Sequence, residues 1–249
     1  MASRSGTRSQ QGGDGSIPPA KLPQNEILSK LPRNELAAVM EYITPKSFAL
    51  REELFEEGDT LENVYFPLSA MISLVNVLED GTTIEVMTIG KEGFIGTPLL
   101  NDVSTARFRG MCQIAGDSLE LSAKDFLRVL KTTPELLRRL RRYSQFATEV
   151  AAQSVACNSV HEVEQRCARW LMLTADAVGS TTFEITQEFL SQMLAVRRPG
   201  VTVAMGALAR PGLISHRYGK VTLVDVEGLK KVSCECYRRI TEKANELLA

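Results

Sequence analysis

The sequence predicts an α+β protein with three parts in order: a closed or sandwiched sheet of short antiparallel strands, one long helix, and a winged helix-turn-helix. Three observations carry that expectation. Short β-branched and aromatic runs fill residues 46–122, a heptad stripe runs from Leu136 to His161, and two helical patterns plus a basic hairpin fill residues 186–224.

Composition sets the outer bounds. The chain has 249 residues, of which 44% are hydrophobic and 24% charged, the mixture of a folded globular protein of about two domains. Collagen-like, coiled-coil-only and wholly disordered chains are excluded. No apolar run reaches the roughly 18 residues of a membrane span. The start, MASRSGTRSQQGGDGSIPPA, has no apolar stretch of the secretory kind and is too polar to bury, so residues 1–20 read as a disordered tail. Cysteines at 112, 157, 167, 234 and 236 are odd in number, which suits reduced thiols in a cytoplasm.

The net charge of -1 hides an asymmetry. Residues 1–133 carry 13 Lys and Arg against 18 Asp and Glu, a balance of -5; residues 134–249 carry 16 against 12, a balance of +4. Between Ile185 and Val224, Arg197, Arg198, Arg210, Arg217 and Lys220 face Glu188 alone. A polyanion partner at the rear accounts for that distribution.

In chain order, Ile27, Leu28, Leu31, Leu36, Val39, Met40 and Ile43 predict two short helices broken at Pro32. Strands are expected at 64–68, 71–78, 83–89, 107–114 and 118–122, divided by Gly58-Asp59, Asp80-Gly81, Gly90 and Gly116-Asp117. Many short strands at this spacing argue for a closed or sandwiched sheet. Ser122 then begins a helix carrying Phe126, Leu127 and Leu130. After Pro134, Leu136, Tyr143, Val150 and Cys157 recur every seventh residue, with Leu140, Ala147, Ser154 and His161 at the matching offset. That stripe predicts a homodimer, with Leu136, Leu140, Tyr143, Ala147, Val150, Ser154 and Cys157 at the interface. Arg138, Arg139, Arg141 and Arg142 lie off it and read as a solvated face. The expected domains are 21–133 in front, 134–161 as the dimer helix and 162–249 behind.

Catalysis finds no support. The two histidines, His161 and His216, accompany no nucleophile motif, and no G-x-S-x-G, P-loop or H-E-x-x-H occurs. Cys234-Glu-Cys236 has no second Cys or His pair nearby in sequence to complete a tetrahedral zinc site, so no metal or cofactor is expected.

The rear is more specific. Thr186 suits an N-cap, with Gln187 and Glu188 in the first turn of a helix carrying Phe189, Leu190, Met193 and Leu194. Arg197-Arg198-Pro199 opens a second helix, buried through Val201, Ala204, Met205 and Leu208 and ended by Pro211-Gly212. Two short strands then flank His216-Arg217-Tyr218-Gly219-Lys220. In such a unit the second helix enters the major groove by its N-terminal residues, where the arginines stand.

Over roughly residues 45 to 236 the chain resembles the cAMP receptor protein / fumarate–nitrate regulator (Crp/Fnr) superfamily of bacterial transcription factors. LFEEGDTLENVYFPLSAMISLV is similar to that family's opening strands, GKEGFIGTPLL to its ligand loop, and ITQEFLSQMLAVRRPGVTVAMGALARPGLI to its reading head. The resemblance implies a cyclic-nucleotide-binding-type β-roll, a homodimer on a pseudo-palindromic double-stranded DNA operator, and contact with RNA polymerase. It places an effector pocket at Gly96, Thr97, Ser104, Thr105 and Arg107.

Three departures from the family pattern bear on function. Thr97-Pro98 stands where cyclic-nucleotide binders put a ribose-binding Glu, so a sensor for something other than cAMP is expected. Ala70, where the family has a turn glycine, leans with that missing Glu toward the alternative of a constitutive regulator with a ligand-free β-roll. The earliest cysteine is Cys112 and residues 1–133 hold no histidine, which disfavours the iron–sulfur and haem sensors of the family. The family's base-reading positions fall on Arg198, Pro199 and Val203. Of these Arg198 keeps a bidentate contact to guanine, and Val203 suits a thymine methyl. Arg197, His216, Arg217 and Lys220 are expected on phosphates, Thr202 on either, and Thr186 and Gln187 complete the DNA-contact set. Gly200 and Gly206 inside the reading helix are expected either to allow tight packing on the preceding helix, the favoured reading, or to let DNA approach the backbone closely.

Overall fold

Residues 24–249 are described by a computed structural model, and the expected tail over residues 1–20 lies outside them. Helix α1 (Glu26–Ser29) is capped by Asn25, whose Oδ1 accepts from the N–H groups of Ile27 and Leu28 at 3.1 and 3.2 Å. Helix α2 (Arg33–Met40) resumes after Pro32, as the sequence pattern requires.

Seven strands follow: β1 (Thr44–Phe48), β2 (Glu53–Phe55), β3 (Asn63–Pro67), β4 (Met71–Val77), β5 (Thr83–Ile89), β6 (Arg109–Ile114) and β7 (Gly116–Ser122). They pair antiparallel in two sheets, β1-β7-β3 and β2-β6-β4-β5. The five expected runs are all strands. β1 and β2 were not expected, because TPKSF and ELF carry no apolar alternation of their own. Each lies at a sheet edge, β1 held by β7 and β2 by β6. The β4–β5 hairpin turns at Asp80-Gly81, with Gly81 at φ 82° and the Asp80 carboxylate accepting from the Thr82 N–H at 2.9 Å. Val64, Phe66, Ile72, Ile89 and Leu121 join Phe94 in one core. Helix α3 (Ala123–Val129) starts at Ser122, whose Oγ accepts from the Asp125 N–H at 3.1 Å.

Helix α4 (Pro134–Val160) runs for 27 residues, one short of the expected 134–161, but its heptad stripe does not stay free for a partner. Leu136, Leu140 and Tyr143 are at most 1% exposed inside the front core, and Cys157 is sealed against Cys234 and Cys236. Those four are therefore withdrawn from the expected dimer interface; Ala147, Val150 and Ser154 stay half-buried. The outward face is rotated from the stripe and runs through Thr148, Ala152, Val155 and Ser159. Arg142 is likewise not a solvated residue, since its guanidinium donates to the carbonyls of Glu246 and Leu247 at the chain end.

Behind α4 lie α5 (Val163–Val178), β8 (Thr182–Glu184), α6 (Gln187–Met193), α7 (Arg198–Ala209), β9 (Ile214–Arg217), β10 (Lys220–Leu223), α8 (Val226–Val232) and α9 (Cys236–Leu248). The strands form a small sheet ordered β8-β10-β9. Trp170, Leu171, Leu190, Met205 and Leu208 centre a second core. Helix α9 turns back to the front, where Ile240 joins the core beside α4 and Lys243 pairs with Glu149 at 2.6 Å. No helix among the described residues is long and apolar enough to cross a membrane.

Front sheet and rear helices meet at Glu85. Its carboxylate accepts from Trp170 Nε1 and from Ser73 Oγ, each at 3.2 Å. Burial pushes the Glu85 carboxyl up to about 7, against the opposing pull of those hydrogen bonds and of Arg169. The fold therefore favours the protonated acid. Stability is fullest below the ordinary carboxylate value and falls as pH rises through about 7. Glu92, also raised by burial, acts in the same direction. Glu85→Gln is expected to flatten the pH dependence of Tm between about pH 5 and about pH 8, with a gain at the alkaline end of up to about 3 kcal/mol. Parallel Tm curves for the two proteins would refute this.

Candidate nucleic-acid interface and ligand cavity

The reading unit is assembled from short-range signals. Thr186 Oγ1 accepts from the Phe189 N–H at 3.1 Å and starts α6. Ala195, at φ 50°, makes the sharp bend after it. Arg197 then occupies the N-cap of α7, and Pro199, whose missing N–H costs nothing in a first turn, helps begin the helix. Burial of Val201, Ala204, Met205 and Leu208 against α5 and α6 fixes which face of α7 looks outward. That face carries Arg198, Thr202, Val203 and Gly206, and Val203 is 73% exposed.

A crevice of about 270 Å³ brings together Thr186, Gln187, Arg198, His216 and Lys220, five of the nine expected DNA contacts. Thr202 Oγ1 lies 3.0 Å from Gln187 Oε1 and donates to it or to the Arg198 carbonyl at 3.2 Å, tying the two helices across the turn. Arg198 is held only loosely, with Glu188 at 4.0 Å and both side chains largely in solvent. Arg197 and Arg217 are exposed at the same end of the unit. The wing turns through Tyr218 and Gly219 at φ 50° and 78°, the two-residue turn with both φ positive that twists in step with its strands. Tyr218 stands fully exposed at that tip. It was not among the expected contacts, although an aromatic beside Gly in a basic hairpin is a legible sign of a polar surface that meets a partner.

The glycine expectation is corrected. A Cβ on Gly206 would meet nothing within 4 Å, and one on Gly200 would make an ordinary 3.8 Å contact with Val196. Neither is required by packing among the described residues. Both therefore spare room outside the chain.

Beneath the reading unit, Arg166 donates to the Leu194 carbonyl at the α6–α7 bend, and burial lowers its guanidinium below its ordinary value.

In front, a cavity of about 390 Å³ opens between the β-roll and α4. Of the residues expected at an effector pocket, Gly96, Thr97 and Arg107 lie on its wall, with Ala147, Thr148 and Ala151 of α4. Ser104 and Thr105 do not. They sit on the neighbouring edge, where the Ser104 carbonyl accepts from the Leu61 N–H and Thr105 bridges Thr60. Leu74, Met87, Ile89 and Ile95 make the wall mainly apolar, and Arg107 is its single charged side chain among the described residues.

Comparison with known proteins agrees with this order of parts. Residues 45–133 match the cyclic nucleotide-binding domain family, and residues 165–232 match the Crp-like helix-turn-helix domain family. The transcriptional regulator LdrP of Thermus thermophilus is 24% identical over 195 residues, covering 75% of this chain and 95% of the relative. Two solved structures share the fold at 15% identity. The c-di-GMP-responsive regulator CLP of Xanthomonas campestris has a TM-score of 0.63 and covers 77% of this chain and 99% of its own. FixK2 of Bradyrhizobium japonicum has a TM-score of 0.66 and covers 77% and 98%. With a cyclic-nucleotide-binding-type β-roll leading through a long helix to a Crp-like DNA-binding head, the chain belongs to the Crp/Fnr superfamily of transcriptional regulators.

Proposed function

We propose that the protein is a homodimeric, sequence-specific transcriptional regulator whose β-roll senses a small molecule other than cAMP. The observation that carries the DNA reading is the exposed N-terminal end of α7, with Arg198, His216 and Lys220 lining one crevice and Arg197 and Arg217 exposed. Dimerisation is assigned to the outward face of α4, where Val155 is 69% exposed among small neighbours that let two helices approach closely. Arg198 reads a guanine in each half-site. Arg197, Arg217 and Lys220 hold phosphates, and Thr202, Val203, Thr186, Gln187 and His216 complete the contact surface.

The apolar cavity supports the sensing role over a ligand-free scaffold. A cyclic nucleotide needs several polar partners for its ribose and phosphate, whereas this wall offers Arg107 and a few hydroxyl and amide groups. It suits a mostly apolar molecule with one anionic end, held at Gly96, Thr97 and Arg107. Such a ligand would press on Ala147 and Ala151 and so reach the dimer helix.

Selection of bound DNA from a random pool tests the whole reading. The expected product has two inverted half-sites about one helical turn apart. A single half-site or no enrichment would overturn it. Thermal-shift screening of apolar carboxylates beside cyclic nucleotides is expected to give a hit that Arg107→Ala abolishes; stabilisation by cAMP alone would refute the cavity assignment.

A further inference from the structure

Cys157 and His161 stand four residues apart at the end of α4, and Cys234 and Cys236 flank the bend into α9. The sequence shows only the Cys-x-Cys half of this set. Folding supplies the other half from 77 residues away. One ligand atom from each residue lies within 4.8 Å of all the others. The Cys157 and Cys234 sulfurs are 3.5 Å apart, and the Cys236 sulfur is 3.6 Å from His161 Nδ1. A tetrahedral zinc ion with Zn–S bonds of about 2.3 Å sets its sulfurs about 3.8 Å apart. We propose that Cys157, His161, Cys234 and Cys236 form a structural Zn²⁺ site that clasps the end of the dimer helix to the base of the DNA-binding head.

Three surrounding features fit a bound metal. His161 Nε2 lies 2.9 Å from Glu235 Oε2, which holds the ring with Nδ1 turned toward the sulfurs. A carboxylate on the outer nitrogen of a ligating imidazole is the usual support of such a ligand. Gln153 Nε2 donates to the Cys236 sulfur at 3.1 Å. Arg169 is only 7% exposed, and its Nε and Nη1 find no hydrogen-bond partner among the described residues. Its charge bears on both Cys157 and Cys234. Three thiolates, a neutral imidazole and Zn²⁺ sum to one negative charge, which the buried guanidinium balances. Loading the site releases three thiol protons to solvent and changes no oxidation state.

The alternatives fit less well. A disulfide needs sulfurs about 2.05 Å apart and leaves the third cysteine and the histidine without a role. A four-iron cluster interposes a cube between its thiolates and needs them further apart. Four protein ligands leave no open position, so the site is structural, with no substrate to activate.

The full chain, purified under reducing conditions, is expected to carry one zinc per chain by elemental analysis. Cobalt titration of the metal-free protein is expected to give the intense visible bands of a tetrahedral site with sulfur-to-cobalt charge transfer. Cys234→Ser should abolish both. Glu235→Gln, a change at an exposed carboxylate and expected to leave the circular dichroism spectrum unchanged, should weaken zinc affinity by about 10–100-fold and so tests the site even if the cysteine variant does not fold. Zinc removal should also lower operator affinity and be reversed by zinc alone. Substoichiometric zinc in the folded, reduced protein would overturn the proposal. So would a Cys157–Cys234 disulfide, iron with acid-labile sulfide, or unchanged metal affinity in Glu235→Gln.

Discussion

Tyr143→Ala is expected to lower the unfolding free energy by about 3–5 kcal/mol, the cost of emptying a large aromatic site in a close-packed core. The ring is 1% exposed and packs against Phe94 and Phe146 at centroid distances of 5.5 and 6.2 Å. Gly93 leaves the space for it, since a Cβ there would lie 2.2 Å from the Tyr143 hydroxyl. That hydroxyl has no hydrogen-bond partner among the described residues, so Tyr143→Phe is expected to keep or slightly raise stability. Denaturant midpoints measured beside sedimentation separate the two roles the residue has been given. An interface residue would yield an equally stable monomer on truncation. A core residue yields early unfolding without a folded monomer, and that is the expected result.

Arg198→Ala is expected to reduce discrimination at one base pair of each half-site by about 1–3 kcal/mol, or roughly 5–150-fold, while leaving binding to unrelated DNA nearly unchanged. The guanidinium is exposed at the start of α7 and its contact with Glu188, at 4.0 Å between two solvated groups, offers little competition. Lys220→Ala should behave differently. Binding should weaken on every sequence, and the slope of affinity against salt should fall by about one. Fluorescence anisotropy on matched and mismatched duplexes at several salt concentrations resolves the two patterns. Equal losses on all sequences for Arg198→Ala would place the reading residue elsewhere.

Much of the reading head was legible because its signals are local. Thr186 caps α6, Pro199 and Arg197 start α7, and the basic run around Tyr218 makes the wing, each through neighbours a few residues away. The same holds for the β4–β5 hairpin at Asp80-Gly81. Edge strands β1, β2 and β8 were illegible for the opposite reason. They are short, and their backbone partners on β7, β6 and β10 lie far along the chain.

The sequence by itself determined the order of parts, the central strands of the front sheet, the long helix α4, and the position of Arg198 at the start of α7. Periodicity, caps and turn residues act within about one turn or one hairpin, and they are visible wherever they occur. Only the tertiary structure decided which face of α4 is covered, that α9 returns to the front core, and that Cys157 and His161 complete a set with Cys234 and Cys236. A heptad stripe shows that a helix has a face to bury; it carries no information on whether its own chain or a second one does the burying. That choice rests on contacts between residues far apart in sequence, as Tyr143 against Gly93 and Cys157 against Cys234 both illustrate.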